Sequence, residues 1–97
     1  MSPGYQLTQS CHVAMHFMLE HNELANQWII KSDYLCILSV ENEIELQKLI
    51  EQANFQNIIL SIFKEPDIDN QITAIALAPG NLSKKLCSKL KLALKEK

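Results

Sequence analysis

Apolar positions along this chain change period repeatedly, and each change marks a different element. Leu7, Cys11, Ala14, Met15 and Met18 recur at i, i+4, i+7, i+8 and i+11, the spacing of one stripe on an α-helix. The spacing predicts a helix over residues 5 to 20 with that stripe as its core face. Ser2-Pro3 is the expected start, because Ser accepts a bond from an unpaired backbone N–H and Pro is tolerated in a first turn. His21-Asn22 reads as the stop, followed by a short irregular or helical piece through Trp28 that closes one edge of the core.

Tyr34 to Val40 is a nearly continuous apolar run, which suits a strand covered on both faces. Asn42 with Glu45 three residues later makes a capping-box-like start, and Leu46, Leu49, Ile50 and Ala53 mark one face of a helix ending near Asn54. Ile58 to Phe63 is strand-like again, so the order predicts a strand, a right-handed crossover helix and a parallel strand. Lys64 to Gln71 is a polar loop, and Ile72 to Ala78 is a third strand, ended by Pro79-Gly80 and returned antiparallel by the short connection. Ser83 is a candidate cap for a last helix over residues 84 to 93, although Lys89-Leu90-Lys91-Leu92 alternates as a strand does. The expected fold class is α/β, a small mixed β-sheet with three visible strands flanked by helices, formed by residues 1 to 97 as one domain.

Composition narrows the class. With 47% apolar residues, two Gly and three Pro, the chain is neither disordered nor collagen-like. No apolar run approaches the ~20 residues that span a bilayer, and the amino terminus lacks the basic-then-apolar order of a secretory signal. A cytoplasmic protein without a membrane partner is expected. Cys11, Cys36 and Cys87 lie in apolar-periodic contexts and are odd in number, so they read as buried small hydrophobes rather than as a disulfide framework.

Charge is unevenly spread. Residues 1 to 83 carry three Lys against ten acids, whereas residues 84 to 97 carry six Lys against Glu96 alone, and the chain has no Arg. Bidentate guanidinium grips on phosphate are therefore unavailable, and any nucleic-acid contact uses Lys as point charges. The Lys-rich end is either a solvated terminus or such a contact.

Candidate chemistry is sparse. His12 and His16 stand at i, i+4, but without the Glu of His-Glu-x-x-His or a nearby third ligand they do not define a metal site. Two glycines cannot build a phosphate-cradling loop, and no Ser or Cys stands in a nucleophile-elbow context. No cofactor is expected.

Two stretches remain, Gln9-Ser10-Cys11-His12-Val13-Ala14 and Glu65-Pro66-Asp67 followed by Ile72-Thr73-Ala74-Ile75-Ala76. Together they resemble the two halves of the active site of type 2 peptidyl-tRNA hydrolases, over about residues 3 to 80. The resemblance implies hydrolysis of the ester of peptidyl- or N-acyl-aminoacyl-tRNA, with Gln9, His12, Glu65 and Thr73 as site residues and Lys84, Lys85 and Lys89 near the acceptor stem. In it His12 orients or polarises the ester, Gln9 anchors a loop or a phosphate, and Glu65 stands where the family has Asp. It also implies a four-stranded sheet whose first strand precedes the first helix, and a Gly-Lys pair where this chain has Gly4-Tyr5. A phenol of pKa about 10 supplies a neutral hydrogen bond where an ammonium would stabilise negative charge. Three accounts of the strand are open: upstream coding sequence, a homodimer that covers the open sheet edge, or a shortened relative. Tyr5 keeps a second functional class in view, a non-catalytic relative acting as a binding or regulatory module.

Overall fold

The computed structural model describes residues 2–32 and 35–93. Among these residues are four α-helices, α1 (Pro3–Glu20), α2 (Asn22–Lys31), α3 (Glu43–Phe55) and α4 (Asn81–Leu86), and four strands, β1 (Leu38–Ser39), β2 (Leu60–Glu65), β3 (Gln71–Leu77) and β4 (Lys91–Leu92), in the order α1-α2-β1-α3-β2-β3-α4-β4. The architecture is α/β, with two antiparallel pairs of strands, β2–β3 and β1–β4. α1 packs on β2 and β3, while α3 packs on β3 and α2 folds back on α1.

Local chemistry explains the boundaries. Ser2 Oγ accepts the Tyr5 backbone N–H at 3.2 Å with Pro3 in the first turn, so α1 starts where its cap allows. At the other end the His21 N–H bonds Phe17 O at 2.8 Å, and the His21 ring nitrogen Nε2 meets Leu60 O at 3.2 Å, which pins the α1–α2 corner to β2. Asn42 Oδ1 accepts the Glu45 N–H at 3.0 Å and starts α3, whose first turn carries Glu43 and Glu45, the sign that the helix dipole favours. α3 ends through Asn57, left-handed at φ 59°, with Ile58 N–H bonding Ala53 O at 2.8 Å. Ala53 and Ile58 are both buried, the hydrophobic contact that accompanies this closure.

The β2–β3 hairpin closes over the 3-10 turn Pro66–Ile68 and then Asp69 and Asn70, both left-handed, a conformation these two residue types tolerate. Its register places Phe63 opposite Ala74 and Lys64 opposite Ile72, so Thr73 is the extra residue of a β-bulge. Gly80, at φ 144°, occupies backbone space closed to other residues and precedes α4.

Four expectations change. Of the expected stripe Leu7, Cys11, Met15 and Met18 are exposed and Ala14 is half-buried, and α1 instead buries Gln9, Val13 and Phe17, with hydrogen-bond partners on the hairpin compensating the polar Gln9. The strand expected over Tyr34 to Val40 is only β1, Leu38–Ser39, with Leu35 and Cys36 exposed; Tyr34 lies outside the described residues. Its ladder partner is β4, antiparallel, so among the described residues the parallel pairing with β2 is not formed. Cys11 and Cys36 are exposed and Cys87 is half-buried, all three with free thiols, so they are not core residues. Finally, the last helix stops at Leu86, with Ser83 inside it bonding Ala78 O at 2.6 Å, and the Lys89–Leu92 alternation becomes strand β4.

Candidate active site

α1 runs alongside β2 so that alternate residues of the strand meet successive turns of the helix. Glu65 meets Gln9, Phe63 meets His12 and His16, and Ser61 meets Glu20. Period two on the strand and roughly one turn on the helix bring these pairs together. The face is polar and aromatic, and the long-range bonds that satisfy it are short: Ser61 Oγ donates to Glu20 Oε1 at 2.6 Å.

Gln9 is the centre. Its side chain is 2% exposed, its Nε2 donates to Glu65 Oε1 at 2.9 Å, and its Oε1 accepts from Thr73 Oγ1 at 2.6 Å. The donor directions are forced by chemistry. A carboxylate only accepts, so the amide nitrogen must face Glu65, the amide oxygen must face Thr73, and the hydroxyl must donate. Three residues from three elements thus form one chain of donation ending on a carboxylate, and such chains polarise each other. The bulge aims the Thr73 side chain, and it accompanies an Ile72 N–H that bonds Glu43 Oε2 of α3 at 2.9 Å.

Glu65 is also fixed by its backbone, since its carbonyl accepts the Asn70 N–H at 2.9 Å across the turn. Its second oxygen, Oε2, accepts the Asp67 N–H at 3.5 Å. His12 lies flat on the Phe63 ring, with centroids 4.8 Å apart and planes 5° from parallel, while His16 tilts on the same ring at 5.5 Å. Stacking occupies the ring faces and leaves the in-plane imidazole nitrogens for hydrogen bonds.

Tyr5 stands one helical turn before Gln9, near the same carboxylate. Desolvation, then the Glu65 charge and then that of Asp67, push its phenol above the ordinary value of 10.0, so it is a neutral donor across the physiological range.

The structure therefore brings Gln9, Glu65 and Thr73 into contact and ties His12 to the same strand through Phe63. Lys84 and Lys85 are exposed on α4 and Lys89 in the turn after it, elements that follow β3 in the chain, and none of the three is hydrogen-bonded to Gln9, Glu65 or Thr73. Sequence reasoning missed Phe63, the stacking partner; the Ser61, Phe63, Glu65 alternation was its only signal. Two shallow hollows, about 350 Å³ against Glu51, Gln52, Phe55 and Gln56 and about 250 Å³ between Trp28 and Pro79, include none of these residues. Among the described residues no group of three or more His, Cys, Asp or Glu is arranged around a metal ion. Nor is any described helix long and apolar enough to cross a membrane.

The family model described as peptidyl-tRNA hydrolase PTH2 matches residues 1–93, and the chain belongs to that family. Comparison with curated proteins gives no match.

Proposed function

We propose that the protein hydrolyses the ester of peptidyl- or N-acyl-aminoacyl-tRNA in the cytoplasm. The observation that carries this reading is the buried Thr73–Gln9–Glu65 chain, which fixes Oε1 of the Glu65 carboxylate through the Gln9 amide. Preorganisation of this kind lowers the cost of positioning a water during reaction.

In this mechanism Glu65 orients a water through Oε2 and takes its proton as the water oxygen bonds to the ester carbonyl carbon. His12 donates an in-plane N–H to the carbonyl oxygen as it gains charge, held in orientation by Phe63. Collapse of the tetrahedral intermediate breaks the bond to the ribose oxygen, which receives the proton from Glu65. Gln9, buried and with both ends of its amide engaged, acts through Glu65 and is a positioning residue. Lys84, Lys85 and Lys89 attract the acceptor-stem phosphates at a distance from the scissile bond, which makes affinity fall steeply with salt.

The test is release of the acyl group from N-acyl-aminoacyl-tRNA by the purified chain. Wild type turns over, whereas Glu65→Gln, which keeps an acceptor for Gln9 but not a base, and His12→Ala each lose at least 100-fold in kcat. A second reading, a non-catalytic binding module, is favoured by Tyr5 alone, a neutral group where the family carries its Lys. Absence of turnover in wild type together with turnover in Tyr5→Lys would establish it.

A further inference from the structure

Thr73 reaches Gln9 from a bulge in β3. With Phe63 opposite Ala74 and Lys64 opposite Ile72, Thr73 is the extra residue of the strand, and its hydroxyl donates to Gln9 Oε1 at 2.6 Å. Side chains alternate between the faces of a strand, so a bulge displaced by one residue re-aims the Thr73 side chain. The hydroxyl then leaves Gln9, and the amide loses the donor that turns its nitrogen towards Glu65.

A contact from outside the hairpin holds the bulge where it is. The Ile72 N–H, immediately before Thr73, donates to Glu43 Oε2 at 2.9 Å. Glu43 stands in the first turn of α3, the helix that packs on β3, and Asn42 fixes that turn by accepting the Glu45 N–H at 3.0 Å. Glu43 and Ile72 are both half-buried, and a charged acceptor strengthens the bond. Glu45 duplicates the charge that Glu43 brings to the start of α3. It does not duplicate the contact, since among the described residues no other side chain accepts a backbone N–H of β3.

We propose that Glu43 is a positioning residue, which fixes the bulge at Thr73 from α3 and so holds the Gln9 amide against Glu65 without touching the reacting atoms. The contacts run from Glu43 to the Ile72 N–H, then through the Thr73 hydroxyl and the Gln9 amide to Glu65, and join α3, β3, α1 and β2. The effect of Glu43 on turnover rests on the hydrolase reading, whereas its effect on the Gln9 amide does not.

Two variants separate the contact from the charge. Glu43→Gln keeps an acceptor of the same reach and loses the charge. Glu43→Asp keeps the charge at the helix start but is one methylene shorter, which carries the acceptor beyond bonding range of Ile72. Hydrogen exchange of the Gln9 side-chain amide, followed by NMR and assigned by its absence in Gln9→Leu, is measured beside kcat and KM for N-acyl-aminoacyl-tRNA. Glu43→Asp should speed the exchange roughly tenfold and lower kcat roughly tenfold with KM unchanged, while Glu43→Gln matches wild type in both. Faster exchange in Glu43→Gln alone would make the carboxylate a partner of the helix dipole and overturn the proposal. Equal exchange in the two variants would overturn it too, as would faster exchange in Glu43→Asp with kcat unchanged from an active wild type. A wild type without turnover refutes the hydrolase reading alone, and the exchange rates still decide whether Glu43 fixes the amide.

Discussion

Replacing Gln9 by Leu removes the centre of the site without changing its volume much. Two hydrogen bonds vanish, the 2.6 Å bond from Thr73 and the 2.9 Å bond to Glu65. A neutral bond contributes about 1 kcal/mol and one to a charged group about 2 kcal/mol, so their loss costs roughly 3 kcal/mol. Apolar burial of the new side chain offsets about 1 kcal/mol. The net loss is about 2 kcal/mol, which for a domain of this size lowers Tm by roughly 10 °C. Thr73 is itself buried, so its hydroxyl is stranded in Gln9→Leu. Thr73→Val should then be neutral or stabilising in that background, although it costs about 1 to 3 kcal/mol in wild type by orphaning the Gln9 carbonyl. Urea unfolding of the four proteins gives the cycle directly, and the expected coupling is at least about 1 kcal/mol. If the two single effects simply add, the amide does not bridge these groups and the argument for a preorganised Glu65 fails.

Two other outcomes follow from the same structure. Tyr5 should titrate above 10.0 in a Tyr34→Phe background, staying protonated where a free tyrosine is half ionised, and Glu65→Gln should move the midpoint down. Ultraviolet absorbance at alkaline pH reads both values, and an unchanged midpoint in Glu65→Gln would place the phenol away from the carboxylate. Asn42→Ala removes the side chain that accepts the Glu45 N–H and should destabilise by about 1 kcal/mol in urea unfolding, whereas Asn42→Asp should not.

Part of this side-chain cluster was legible in the chain, because residue type and order need no knowledge of neighbours in space. Gln9, His12, Glu65 and Thr73 were marked by type and order, and the structure places Gln9, Glu65 and Thr73 in direct contact. What each does was not legible. Gln9 stood open to a phosphate in sequence, yet its burial between two partners, 56 and 64 positions away, leaves it only the carboxylate and the hydroxyl. Phe63 under His12 was read as one more apolar strand residue.

By itself the sequence determined whatever depends on a few neighbouring residues: the Ser2 and Asn42 caps, the extents of α1 and α3 to within two residues, the β2–β3 hairpin and the acidic return between its strands. Tertiary structure alone decided which side of α1 is inside, which strands pair, where Thr73 bulges and that the cysteines stand outside the core. The reason is that periodicity counts apolar side chains and takes the apolar stripe for the buried one. On α1 a different stripe is buried, Gln9, Val13 and Phe17, and it can include an amide because hydrogen bonds to distant residues satisfy it.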